Sequence, residues 1–504
     1  MEKPKLTIDE MATFCKRKGF VYPSSEIYGG LAGLYDYGHL GTLLKKNFED
    51  LWRSYFLSLD DNFFEIEASE IMHESVFVAS GHLENFIEAV AKCRKGHVER
   101  ADHLLEKKLK KRFEGLTTEQ LLDEIRKNKI NCPVCGMEIE KVEVMTLMYP
   151  VPLGVENATK AYLRPETAQS PYVNFKRQLE VMRKKLPLGL ALIGRAYRNE
   201  ISPRNFILRQ RAFTQAELQI FFNPKKINEH DDFKSVEDYE LLVAFADKRE
   251  HVKKIKCNEL SRKLPKFYVY HMAKAQQFYL DVLKFPSDKF RLYELNEKEK
   301  AFYNKYHFDI EADLDSIGWT EIGGVHYRTD HDLKGHQDIS KESMEFLDED
   351  TKEKFIPHVL ELSFGVDRNF YAIINYAYNY DKSRDNIVLK LNPKLSPIKL
   401  GVFPLVSNKK EIVALAKKVH DDLKKCWTST FDTGGSIGRR YARSDEIGTP
   451  LCITIDFESL EDDAVTVRER DTTEQIRVKI SELKDVVKRF FKGEKFGKLG
   501  KKVE

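Results

Sequence analysis

A chain of 504 residues has room for two or three domains of roughly 100–200 residues each. Lysine and arginine number 83 against 80 aspartates and glutamates, so a formal net charge of +3 neither demands nor forbids a polyanionic partner. Hydrophobic residues reach 42%, enough for real cores, yet no apolar run approaches the roughly 18 residues of a membrane span, and MEKPKLTIDE has neither signal nor transit character; membrane insertion is excluded and a cytosolic place is expected.

Residues 1–84 open with a helical pattern, MATFCKRKGF, and a glycine-rich stretch, YGGLAGLYDYGHLG. LGTLLKKNFEDLWRSYF follows, with its apolar residues at helical spacing. Residues 85–148 read as an insertion holding the charged helix DHLLEKKLKKRF and the sequence NCPVCG. The seven cysteines are odd in number and scattered, which argues against a disulfide framework. Cys132 and Cys135 stand apart, because a Cys-Pro-x-Cys-Gly turn folds into a knuckle whose amides face thiolate sulfurs, half of a zinc site. Cys93 and His97 of KCRKGH are the best upstream partners, with His82 and His103 as rivals to His97. Such a zinc would be structural, since two knuckles close all four positions; the alternative is a pair of free cysteines.

Residues 149–223 return to strands. GLALIGRAYRNE and FTQAELQIFF are apolar or alternating and predict two strands, and ISPRNFILRQ predicts the loop between them. The hairpin carries an Arg-x-Glu pair, Arg198 and Glu200, three further arginines at Arg204, Arg209 and Arg211, and then Phe213 and Glu217. Guanidinium forks match phosphate oxygens and phenylalanine stacks on a base, so the pattern suits a purine triphosphate. The competing reading is a solvated hairpin whose arginines pair with local acids.

Residues 224–310 read as a second insertion, largely helical in SVEDYELLVAFADKREHV and VYHMAKAQQFYLDVL. Residues 311–380 hold GWTEIGGVHYRTDHDL, PHVLELSFGVDR and a helix, GVDRNFYAIINYAY; residues 381–396 are polar, punctuated by prolines, and read as a linker. In residues 397–504, IKLGVFPLV, CITID and AVTVRER predict strands and KKEIVALAKKVHDDLKK an amphipathic helix. A last helix is predicted from about Glu474 to Phe490, giving a small α/β domain with a central mixed sheet. The basic runs 106–112, 251–256 and 488–502 suit solvated faces and RNA contacts equally.

These landmarks resemble one known family. The arginine hairpin is similar to motif 2 of the class II aminoacyl-tRNA synthetases, Pro357–Arg368 to motif 3, and the early helix to the weaker motif 1 at a dimer interface. VYPSSEIYGGLAGLYDYGHLG (21–41), SGHLENF (80–86), RADHL (100–104) and YLRPETAQ (162–169) look like the glycyl-tRNA synthetase branch, in its archaeal-like, homodimeric single-chain form. GGSIGRRYARSDEIGTPLCITID (434–456) and TVRERD (466–471) look like the class IIa anticodon-binding domain, which places RRYAR near RNA. The resemblance implies an α+β fold: a catalytic domain with an antiparallel sheet flanked by helices, two insertions (the second a tRNA acceptor contact), and a C-terminal α/β anticodon-binding domain.

The resemblance also implies a chemistry, with glycine, ATP with Mg²⁺ and tRNA(Gly) as partners. Arg198 is expected to hold the α-phosphate, Glu200 to accept from the adenine amine, Phe213 to stack on the adenine, and Arg368 to cover its other face and reach the γ-phosphate. Arg209 is a second γ-phosphate candidate, Glu321 an acid near Mg²⁺, and Asn199, Leu208 and Ile322 complete the ATP site. Glu166, Glu217, Glu361 and Ser363 would surround the glycine ammonium and α-carbon, and Arg100 would face the carboxylate. A pocket filled by the smallest amino acid excludes all larger ones by overlap, so no editing domain is implied.

The sequence departs from the family at three places. Proline is common where motif 3 here reads Glu361-Leu362-Ser363, DYGP is common where His39 follows Asp36-Tyr37-Gly38, and SGHLENF runs on into IEAV. Two other functions remain open: a synthetase-like protein that only binds nucleic acid, and a class IIa enzyme for proline, threonine, serine or histidine. Relatives also share a side synthesis of diadenosine tetraphosphate, for which no residue here argues.

Overall fold

Thr7 accepts a hydrogen bond from the Glu10 amide while Glu10 reaches back to Thr7, a capping box that starts α1 (Ile8–Lys18). α2 (His39–Phe56) buries Leu40, Leu44, Phe48, Trp52 and Phe56, every fourth residue, along one stripe. The computed structural model describes residues 6–503 other than 110–112, 114–115, 156–158, 202, 204 and 302. Arg204 and the end of the first basic run therefore lie outside the described residues.

After β1 (Phe63–Glu65), the first insertion forms its own three-stranded sheet from β2 (Ile87–Cys93), β3 (Val98–Arg100) and β4 (Ile139–Thr146), in the order β3-β2-β4. α3 (Gln169–Met182) precedes the predicted hairpin, β5 (Leu188–Tyr197) and β6 (Ala212–Phe222), which pair antiparallel from Leu188↔Phe221 to Tyr197↔Ala212. Next come β7 (Glu240–Ala244), β8 (Val252–Lys256), α4 (Lys266–Gln277), β9 (Phe290–Glu294), β10 (Tyr306–Leu314), β11 (Gly318–Thr329), β12 (His358–Gly365) and α5 (Val366–Ala377). One nine-stranded sheet collects them in the order β8-β7-β9-β10-β11-β12-β6-β5-β1. It is antiparallel except where β1 pairs with β5 and β7 with β9. The stripe of α2 closes its back face, where Trp52 and Phe56 pack on Phe364.

Residues 224–310 are thus not a largely helical insertion. α4 bears out the second half of that reading, but 235–252, predicted helical, contains β7, and β7, β8 and β9 extend the catalytic sheet. Leu241, Leu242, Val243 and Ala244 are all buried. A four-residue apolar run has no period that separates a buried strand from a helix, and pairing with β8 and β9 decides it.

The linker is partly ordered: Tyr378–Asp381 pairs with Asn386–Leu389 as a hairpin. Beyond it stand β13 (Leu400–Pro404), α6 (Lys410–Leu423), β14 (Ser429–Phe431), α7 (Ile437–Glu446), β15 (Leu451–Ile455), β16 (Ala464–Glu469), β17 (Gln475–Lys479), α8 (Leu483–Phe491) and β18 (Lys501–Lys502). They form a six-stranded mixed sheet in the order β14-β13-β15-β16-β17-β18 over a hydrophobic core of its own. The last helix starts at Leu483 and not near Glu474, because QIRVK buries Ile476 and Val478 in alternation, a strand's period. The Arg470 guanidinium locks the linker down, donating to the Leu391 carbonyl at 2.7 Å.

Candidate active site

Strands β6, β12 and β11 lie side by side, with Glu217 opposite Ser363 and Ser363 opposite Gly324, and Gln219 opposite Glu361 and Glu361 opposite His326. Alternate residues of a strand share a face, so these polar side chains project from the front of the sheet while Leu218, Leu360, Leu362 and Phe364 fill the back. The Ser363 hydroxyl donates to Glu217 Oε1 at 3.1 Å. Gln219 Nε2 donates to Glu361 Oε2 at 2.8 Å and Glu217 Oε2 at 3.3 Å, and Tyr172 donates to Gln219 Oε1 at 2.7 Å. Glu166 arrives from the turn before α3, with His82 Nε2 3.5 Å from its carboxylate. Four of the predicted substrate-pocket residues, Glu166, Glu217, Glu361 and Ser363, therefore converge.

The cation that holds them was given no role in the sequence reading. Arg328, 1% exposed, donates to Glu361 Oε2 at 3.0 Å, to Glu166 Oε1 at 3.5 Å, and through Nε and Nη2 to Asp332 at 2.9 and 3.1 Å. An irregularity in register between Tyr327 and Thr329 re-aims it. Its place four residues before Asp332 was the available signal. One arginine cannot neutralise every acid here. Burial, then the charges of Glu361 and Glu166, push Glu217 up to about 8. Burial raises Glu361 as well, whereas at Glu166 the nearby His82 and Arg328 outweigh burial and hold it well below the usual range.

Beside this acid cluster lies a cavity of about 130 Å³, lined by Arg198, Glu200, Leu208, Arg209, Phe213, Glu321, Ile322 and Arg368. Every residue expected at the ATP site lines it except Asn199, whose amide instead donates to the Leu147 carbonyl at 2.8 Å. Arg198 donates through Nε to the Pro165 carbonyl at 3.0 Å, and its guanidinium lies 5.2 Å from the Phe213 ring centre. Arg209 pairs with Glu200 and Arg368 with Glu321 at 2.9 Å. The Glu321 side chain is half exposed, and the Arg368 guanidinium holds its carboxyl below the usual range, as an anion. Arg100 is gripped by Glu88 and Asp102, and Arg209 shares Glu88 with it.

In the first insertion, the donor atoms of Cys93, His97, Cys132 and Cys135 all lie within 4.8 Å of one another. The knuckle closes as the Cys132 amide donates to the Met137 carbonyl at 2.8 Å and Gly136, at φ 69°, donates to Cys132 at 2.9 Å. Cys93 Sγ is 3.7 Å from Cys135 Sγ and 3.6 Å from His97 Nδ1. A tetrahedron with Zn–S bonds of about 2.3 Å has edges near 3.8 Å, so the set fits zinc. His97 prevails over its rivals: His82 is committed to Ser80 and Glu166, and His103 is outside the group.

The C-terminal RRYAR divides in two. Arg440 is buried and donates to the carbonyls of Pro404, Leu405, Asp432 and Gly435, a structural brace that RNA could not reach, while Arg439 and Arg443 are exposed on α7.

Residues 149–377 match the family described as tRNA synthetase class II core domain (G, H, P, S and T), and residues 399–490 match the anticodon binding domain. The chain is 34% identical to a glycine–tRNA ligase of Methanothrix thermoacetophila, over 96% of this chain and 97% of that one. It is 36% identical to that of Pyrococcus furiosus (93% and 96%) and 37% identical to that of Caldanaerobacter subterraneus (95% and 97%). A prolyl-tRNA synthetase from Cryptosporidium parvum, solved with L-proline and AMP, shares the fold at a TM-score of 0.58, 14% identity and 98% and 77% coverage.

Proposed function

The chain belongs to the glycine–tRNA ligases of class II, and on that premise we propose how its own residues carry out glycine activation and transfer. A glycine carboxylate oxygen attacks the α-phosphorus of ATP in line, the bond to the β-phosphate breaks, and pyrophosphate leaves with the electron pair. The terminal ribose hydroxyl oxygen of tRNA(Gly) then attacks the adenylate's carbonyl carbon. An ester bond forms as the acyl–phosphate bond breaks, AMP leaves with the electron pair, and the hydroxyl proton passes to the departing phosphate or to water. Such phosphoryl chemistry leaves a protein chiefly positioning and charge neutralisation.

Arg198 meets the α-phosphate, Glu200 and Phe213 the adenine, and Arg368 and Arg209 the outer phosphates. The observation that carries this reading is adjacency: a cavity lined by arginines shares Ser363 with a buried cluster of carboxylates, so a triphosphate and an ammonium fit side by side. Mg²⁺ would neutralise the phosphate oxygens, with Glu321 an acid in the cavity wall that could hold it. ATP–pyrophosphate exchange tests the assignment; exchange with proline, threonine, serine or histidine in place of glycine, or none at all, would overturn it.

Glu166, Glu217, Glu361 and Ser363 receive the ammonium. In the empty pocket Glu217, with its pKa pushed up to about 8, holds a proton at neutral pH, and an incoming ammonium must displace it. The sign follows: a raised carboxyl is neutral below its pKa, so glycine binds more weakly there. KM for glycine should fall as pH rises from about 6.5 to 8, by up to about tenfold per unit, and Glu217→Gln should flatten the profile. A flat profile in the unmodified enzyme would sink this assignment.

Cys93, His97, Cys132 and Cys135 hold a structural zinc, which ties the two turns of the insertion together. Freshly purified, chelator-free protein should carry about one zinc per chain, and Cys132→Ser should lower that content and destabilise the insertion. Metal analysis finding none would refute it. Two copies associate through the motif 1 region, and in the loop that precedes its helix Ile27 and Tyr28 stand 88% and 86% exposed. The C-terminal domain reads the anticodon of tRNA(Gly), and the setting is the cytoplasm, where tRNA is charged.

A further inference from the structure

SGHLENF is followed directly by β2, and its last residue touches the ATP site. The Phe86 ring lies 5.1 Å from the Arg198 guanidinium, which Phe213 also flanks. The Phe86 carbonyl accepts from the Leu147 amide at 3.0 Å, and the Leu147 carbonyl accepts from Asn199. Both ends of the first insertion thus rest on consecutive residues of the arginine hairpin. Two residues along β2, Glu88 faces Arg209 Nη2 at 3.4 Å and binds Arg100. The Glu88 side chain is 10% exposed, and its second oxygen is buried with no hydrogen bond. The matched synthetase core begins only at residue 149, so these contacts come from outside it.

We propose that the first insertion is a clamp on the ATP-binding arginines, in which Phe86 and Glu88 are positioning residues for Arg198 and Arg209. A free guanidinium samples many rotamers, and one aimed before ATP arrives loses less freedom on binding. Phe86 fixes the plane of Arg198 by lying against it, while the Nε bond to Pro165 fixes its direction, leaving the Nη edge for phosphate. Glu88 does the equivalent for Arg209. It keeps that side chain at the cavity wall when Glu200 turns to the adenine, and Arg100 balances its charge. The same strand ends at Cys93, so the metal-binding turn and the ATP clamp are opposite ends of one strand.

The inference rests on the reading that Arg198 and Arg209 meet ATP, and the test separates the two. In glycine-dependent exchange by the full-length enzyme, Phe86→Leu keeps apolar bulk but loses the ring face. It should lower kcat/KM for ATP by about tenfold with KM for glycine unchanged, and Phe86→Tyr should restore it. Glu88→Gln, the same shape without charge, should lower kcat/KM for ATP by about threefold or more, again sparing glycine. In an Arg198→Ala background, Phe86→Leu should change the rate less than about twofold, because its effect passes through that arginine. Fully additive losses, or equal changes in the ATP and glycine parameters, would overturn the clamp while leaving the ATP assignment intact. If Arg198→Ala itself spares ATP, the underlying reading fails instead. Should Phe86→Leu not fold, the isosteric Glu88→Gln decides alone: unchanged kcat/KM for ATP refutes the proposal.

Discussion

Replacing Arg198 with alanine should lower kcat for glycine-dependent pyrophosphate exchange by about 10²-fold or more, with a much smaller change in KM for glycine. Its guanidinium is held between the Phe86 and Phe213 rings and anchored through Nε, so its geometry exists before substrate arrives. A preset donor of this kind adds little to ground-state binding that water could not match. Its worth appears as negative charge builds on the α-phosphate oxygens in the transition state. Arg198→Lys should recover only part of the loss, since a point charge cannot present two parallel N–H groups. The comparison of kcat with both KM values checks the division of the site. If Arg198→Ala leaves kcat intact and shifts KM for glycine alone, the cavity and the glutamate cluster have been given each other's substrates.

How much of this was legible in the sequence depended on the range of the interaction involved. The β5–β6 hairpin was legible because two long strands with alternating or apolar patterns flank a loop with a proline. The Cys132–Cys135 knuckle was legible because a short turn sets its own geometry. β7 and β17 were not: each is five residues long, and its state is decided by neighbours distant in the chain. The carboxylates of the pocket could be named from the family resemblance, but their counter-ion could not, because Arg328 reaches Glu166 and Glu361 across 162 and 33 residues. The same holds for the brace between the three motifs. Lys45 of α2 donates to the Thr214 hydroxyl at 2.6 Å, and Asp367 accepts from the Thr214 amide at 2.6 Å and from Tyr37. Periodicity marks α2 as amphipathic; it says nothing of a lysine on its half-buried flank.

Arg328→Met should be the most damaging single change in the amino-acid pocket, and it should strike stability and glycine binding together. Arg328 is a buried cation that answers three carboxylates, Glu166, Glu361 and Asp332, each nearly inaccessible to water. Removing one partner from such a group leaves uncompensated buried charge, at a cost of about 3–5 kcal/mol. The acids can escape that cost only by taking up protons, as Glu217 already does. Without Arg328, Glu166 loses one of the charges that hold its pKa down, and Glu361 loses its principal counterweight. An ammonium must then expel more than one proton to bind. KM for glycine should therefore rise by about 10²-fold near neutral pH and fall more steeply with rising pH than in the unmodified enzyme. Arg328→Lys should fold better but bind glycine poorly, since one ammonium cannot span acids placed on three elements. The steeper pH dependence is the decisive readout, because loss of packing alone would shift KM without changing its slope. An Arg328→Met protein with unaltered denaturation midpoint and glycine KM would show that the carboxylates are arranged by the sheet alone.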